Sequence, residues 1–135
     1  MKHSILIILA FSIVLGGCIP KLGTTYAPGP SQVFLKGKIA DGFPPLPLYP
    51  KAQVIESYSS QDKYGASFIT GANLEKVVKF YGESLPKLGW ETNLKRRSEN
   101  EFVFEVKNDK NKGEVIVNTA ADGQKTAITI WTELR

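Results

Sequence analysis

Cysteine and histidine are almost missing from this chain: Cys18 and His3 are the only examples in 135 residues. A lone cysteine rules out an internal disulfide, so packing alone must hold the fold. Long apolar runs are missing too. The longest, Ile5 to Leu15, would make a helix of about 16 Å, roughly half of a bilayer core of about 30 Å, so it cannot serve as a lasting span. Acidic residues are absent before Asp41, and all 13 fall at or after it, against 17 basic residues for a formal charge of +4. From Pro44 onward the charges nearly balance. Lys95-Arg96-Arg97 alone is too small a basic face for nucleic acid. Glycine-rich phosphate loops and nucleophile elbows do not occur. What is present, with 42% apolar, 22% charged and 10% aromatic residues, fits one small globular domain with appendages.

The start of the chain has the anatomy of a secretory signal. Met1-Lys2-His3 is basic, Ser4 to Val14 is greasy, and small residues close the run. Leu15-Gly16-Gly17-Cys18 resembles the lipobox of bacterial lipoproteins. The resemblance implies removal of residues 1–17 and a thioether-linked diacylglycerol on Cys18, with or without an amide-linked third chain. The alternative is an ordinary signal with a chance cysteine near its cleavage site. Two or three acyl chains anchor firmly where one is marginal, at about 0.8 kcal/mol per buried methylene. The expected placement is the cell envelope. Ile19, where the enteric sorting pattern has Asp for retention, implies the periplasmic face of an outer membrane in a diderm, and otherwise the outer face of the cytoplasmic membrane. With His3 cleaved and Cys18 acylated, neither histidine nor free thiol remains. That excludes zinc on His or Cys, His-ligated haem, Ser-His-Asp chemistry and cysteine nucleophiles.

Proline and glycine crowd the next stretch, with seven of the 8 prolines before Lys51. Residues 18–43 therefore read as a lipidated cysteine followed by a flexible linker, and 44–135 as the domain. Gln32 to Ile39 is the exception, readable as a short strand or as a segment resting on the domain. Lys21, Lys36 and Lys38 in this stretch either face anionic headgroups or merely keep it soluble.

From Ala52 short alternating runs predict half-buried strands. Gln53 to Ser59 and Tyr64 to Thr70 flank a turn and read as a hairpin. Asn73 then caps a helix whose stripe is Leu74, Val77, Val78, Tyr81, Leu85 and Leu88, widened by Phe80. Pro86 and Gly82 predict a bend or a tightened last turn, and Gly89 a left-handed cap. Trp90 to Lys95, Glu101 to Lys107, Glu114 to Thr119 and Thr126 to Leu134 complete a meander. The expected fold is α+β, in the order ββαββββ, with one helix on an antiparallel sheet in a two-layer sandwich. Parity turns Phe102, Phe104, Val106, Val115, Val117, Ile128, Ile130 and Leu134 inward, while Trp90 closes one end.

Leu46-Pro47-Leu48-Tyr49-Pro50-Lys51-Ala52, Phe68-Ile69-Thr70, Val77 to Tyr81 and Leu88-Gly89-Trp90 resemble a small uncharacterised domain of secreted bacterial proteins and lipoproteins. The likeness spans roughly residues 46–95. It implies a fold and brings no activity with it.

No constellation of catalytic groups emerges. Glu56, Glu91, Glu105 and Glu133 occur singly on strands and read as solvated surface, and Lys110 and Lys112 spoil a calcium loop at Asp109, Asn111 and Glu114. No metal and no noncovalent cofactor is expected. Val103, Ile116 and Trp131 project from the sheet face opposite the helix. They mark either a partner surface or a face covered by the Val33-Phe34-Leu35 segment. Tyr81, Phe102 and Phe104 would contact a small apolar ligand if the helix and sheet parted. The leading expectation is a non-enzymatic, monomeric interaction or scaffolding module with an envelope protein partner. A carrier or sensor of an apolar ligand comes second and an enzyme third.

Overall fold

The computed structural model describes Gln32–Arg135; the signal segment 1–17, Cys18 and the linker up to residue 31 lie outside the described residues. Seven strands form one antiparallel sheet. They are β1 (Gln32–Lys36), β2 (Gln53–Ser60), β3 (Lys63–Thr70), β4 (Glu91–Ser98), β5 (Glu101–Lys107), β6 (Asn111–Thr119) and β7 (Thr126–Leu134), and α1 (Leu74–Lys87) separates β3 from β4. The spatial order is β1-β2-β3-β7-β6-β5-β4. The chain leaves the sheet at β3, crosses one face as α1, and re-enters at the far edge as β4. A meander then brings β7 back beside β3.

Local chemistry explains the turns and ends. Gln61 and Asp62 both take positive φ, the backbone twist a two-residue hairpin between right-twisted strands requires. Asn73 Oδ1 accepts the Lys76 N–H at 3.0 Å and Glu75 sits in the first helical turn, so the start of α1 is capped and matched to its dipole. Pro86 lies inside the last turn, which closes with bonds from Leu88 N–H to Leu85 O and Gly89 N–H to Pro86 O. This is the tightened ending that a proline without a donor imposes. Gly89, at φ +82°, then reverses the chain into Trp90, whose Nε1–H donates to the Pro45 carbonyl at 3.2 Å.

The core lies between α1 and the sheet. Val77, Tyr81 and Leu85 on the helix meet Ala66, Phe68, Phe104, Val106, Val115, Val117, Ile128 and Ile130 on four strands, all buried, with Leu46 and Trp90 at the margins. Two buried hydroxyls are tied to backbone, Ser57 Oγ donating to the Lys38 carbonyl and Thr126 Oγ1 to the Ala72 carbonyl, each at 2.7 Å, whereas those of Tyr81 and Thr132 have no partner among the described residues.

Three expectations need correction. The sheet reaches back to Gln32, with Ile39, Ala40 and Phe43 packed on the domain, so part of the stretch read as linker is structural and the strand order gains a first strand. Pairing with β2 across five residues overrides the weak local pattern around Gly37. Val33-Phe34-Leu35 is therefore an edge strand and does not fold across the meander. Leu88 and Leu134 share the predicted parity but lie exposed, because each sits at the end of its element beyond the reach of the opposing layer.

Candidate functional site

The two faces of the sheet differ in what stands on them. Strand register sets the face opposite α1, here the outer face, in cross-strand rows. One row reads Glu91, Lys107, Lys112, Glu133, Lys63 across β4, β5, β6, β7 and β3. The next reads Asn93, Glu105, Glu114, Trp131, Gly65, Tyr58, Phe34 and crosses all seven strands. A third runs Lys95, Val103, Ile116, Thr129, Ser67.

Between the first two rows lies a groove of about 570 Å³ over β4 to β7, lined by Trp131, Asn93 and the charged side chains of both rows except Lys63. Acidic and basic side chains pair there, with Lys95 and Arg97 reaching in from beyond the lining. Lys107 Nζ is 2.9 Å from Glu91, Lys112 Nζ is 3.1 Å from Glu133, Arg97 reaches Glu114 at 3.5 Å, and Lys95 bonds Glu105. Four carboxylates thus meet four cations. Asn93 Nδ2–H donates to Glu105 at 3.0 Å, and the Trp131 indole N–H donates to Glu114 at 3.2 Å, which fixes the ring's edge. Hydrogen bonding from Lys107 lowers the Glu91 pKa, and bonds from Lys95 and Asn93 lower that of Glu105, so both remain ionised below the usual carboxylate range. Such solvent-exposed pairs contribute little to stability, and what they fix is the groove's charge pattern.

Farther along the second row, Gly65 has a spatial reason. A Cβ there would lie 2.0 Å from the Tyr58 ring, so that ring lies across the glycine backbone. Tyr58 and Phe34 remain 44% and 50% exposed, and with Trp131 they form an aromatic line leading from the groove toward the β1 edge.

The residues singled out from sequence separate into three groups. Of the outer set, Trp131 lines the groove, Ile116 is half-buried, and Val103 is fully buried between Lys95 and Ile116 in register, so it offers no surface. Of the inner set, Tyr81 and Phe104 are fully buried with ring centroids 6.4 Å apart, whereas half-buried Phe102 carries the Arg96 guanidinium 5.6 Å above its ring. Neither Tyr81 nor Phe104 lines the outer groove or a shallower hollow of about 290 Å³ between Tyr49 and the exposed side of α1. Cys18 lies outside the described residues. Asn93, Glu105, Glu114, Lys107 and Lys112 were missed as a group because each looks like ordinary solvated strand surface. Only the register between strands assembles them. Among the described residues, no three Asp, Glu, His or Cys side chains gather as a metal would require.

A helix laid across a sheet whose strands re-enter from the far edge is the arrangement against which the chain can be compared. A family model described as START domain-like matches residues 52–128, from the residue before β2 into β7. The chain belongs to the START domain-like family. The match includes α1 and both halves of the sheet's central seam but stops short of Trp131, and β1 with its Phe34 lies before it. No curated protein and no solved structure matches the chain.

Proposed function

We propose that this START domain-like chain is a lipid-anchored cell-envelope lipoprotein, held through diacylglycerol on Cys18, whose domain is a non-catalytic, monomeric interaction module that engages an envelope component with the outer face of its sheet. The groove beside Trp131 carries this reading. It is of ligand-pocket size, its tryptophan is oriented by Glu114, and it stands on a core that already satisfies the fold. Anchoring leaves the domain no need for an apolar membrane-binding surface, and no helix of the described residues is long and apolar enough to cross a membrane. The sequence after residue 31 has no histidine or cysteine to support nucleophilic or zinc chemistry.

Photocrosslinking in intact cells tests the reading. A photoreactive residue at Thr129 on the outer face is expected to give a shifted adduct that one at Lys76 on the helix does not, and Cys18→Ser is expected to release the protein from membranes. Equal labelling from both positions would overturn the outer-face assignment, and a Cys18→Ser protein that still pellets with vesicles would overturn the anchor.

One observation favours a second reading, in which the domain carries or senses a small apolar ligand between helix and sheet. The Tyr81 hydroxyl is buried without a hydrogen-bond partner among the described residues. Burial pushes its pKa up, partly offset by the nearby Tyr49 backbone. A ligand acceptor would satisfy it, at the cost of parting Tyr81 from Phe104.

A further inference from the structure

We infer that the outer groove and the aromatic line beside it bind a neutral, linear oligosaccharide, a deepening that rests on the outer-face reading above. Charge narrows the choice first. Each of Glu91, Glu105, Glu114 and Glu133 already has a cation partner, so the site exerts no net pull on an ion, and a charged ligand would gain a contact only in competition with an existing solvent-exposed pair. A hydroxyl needs no such exchange. It donates to a carboxylate lone pair and accepts from an ammonium proton that the pair leaves unused.

Shape narrows it further. Trp131, Tyr58 and Phe34 share one row on strands β7, β2 and β1, with only Gly65 of β3 between the first two. At about 4.8 Å per strand the backbone positions of Trp131 and Tyr58 are roughly 9.6 Å apart, and the Tyr58 ring leans over Gly65 into that interval, so the aromatic surface runs on from Trp131 toward the β1 edge. A chain of sugar rings offers repeating flat C–H faces to such a line and keeps its hydroxyl rims in water. An extended peptide suits the row poorly. It would run across the strands rather than along an edge, and its backbone N–H and C=O groups would find few partners over Gly65 and the aromatic rings. The ring of Trp131 is held in advance by its bond to Glu114, which reduces the ordering cost of binding.

Calorimetric titration of the full chain with neutral β-1,4-linked glucose and N-acetylglucosamine hexamers and dimers tests the inference. At least one hexamer is expected to bind saturably, with less than about a 2-fold change in affinity between 50 and 500 mM NaCl, because no ion pair forms. Trp131→Ala is expected to weaken hexamer and dimer alike by about 20-fold or more, as a central aromatic anchor does. Phe34→Ala, at an exposed edge position, is expected to weaken the hexamer by about 5-fold while leaving the dimer within about 2-fold, a length dependence that a folding defect would not produce. No binding of any neutral oligomer by protein with native circular dichroism would overturn the inference. So would binding indifferent to Trp131→Ala, or preferential, salt-sensitive binding of oligolysine or polyglutamate. If sugars fail while the Thr129 crosslink persists, the outer-face reading stands and only the ligand class falls.

Discussion

The inner and outer faces of this one sheet are built to opposite rules. Inside, Val115, Val117, Ile128 and Ile130 interlock with Val77, Tyr81 and Leu85, and each side chain is fully buried. Outside, the sheet carries paired lysines and glutamates and, from Trp131 on β7 to Phe34 on β1, a line of half-exposed aromatics. Stability is concentrated on one face, which leaves the other free to vary in chemistry without endangering the fold. The strands alternate between the two at every residue, so a substitution and its neighbour interrogate different faces.

That contrast makes graded predictions. Leu85→Ala, which opens a hole in the filled face, is expected to cost about 3 kcal/mol by denaturant unfolding; a cost below about 1 kcal/mol would mean the helix is not packed as described. Trp131→Ala on the outer face removes only a half-buried ring, and about 1–2 kcal/mol is expected in the same assay, leaving a folded protein for binding studies. Tyr81→Phe is expected to be neutral or stabilising by up to about 1 kcal/mol, since it removes a buried hydroxyl with no partner. A clear destabilisation would instead reveal a hydrogen bond inside the core.

Lys95→Ala is expected to change stability least, by no more than the scatter of denaturant unfolding at neutral pH. Its signature lies in the titration of Glu105. Lys95 and Asn93 hold the folded pKa of that carboxyl below its ordinary value of 4.5, so their contribution is complete above that pH and is lost as pH falls through the depressed value. Carbon-detected NMR titration should show the Glu105 pKa rising toward 4.5 in the variant. Any stability difference from wild type should fade in acid, and an unmoved Glu105 would break the pairing scheme.

Much of the inner face could be read from the sequence, because it rests on periodicity. The helical stripe from Leu74 to Leu85, the Asn73 cap and the alternation of Phe104, Val106, Val115, Val117, Ile128 and Ile130 are local patterns with one physical reading. The outer site was not legible in the same way. Glu105 and Glu114 are neighbours only because β5 and β6 pair in that register, and Phe34 joins Trp131 only through β2 and β3. Trp131 was visible as an outward aromatic, but Val103 beside it was misjudged, since parity gives a direction without saying how closely neighbouring side chains shut over a small residue. The first strand could be read only as one of two options, a short strand or a segment resting on the domain, for a related reason: Gln32–Lys36 has little pattern of its own and owes its form to pairing with β2.

Two tryptophans, one for each side of the argument, permit the most direct test. Trp90 is buried at the end of the core with its indole N–H on Pro45, and Trp131 stands on the outer face with its indole N–H on Glu114. In a nitrogen-15 correlation spectrum of the full chain titrated with the neutral hexamer, the Trp131 indole signal is expected to shift saturably while that of Trp90 stays in place. A moving Trp90 signal beside a stationary Trp131 would put the ligand between helix and sheet and contradict the division of labour between the two faces.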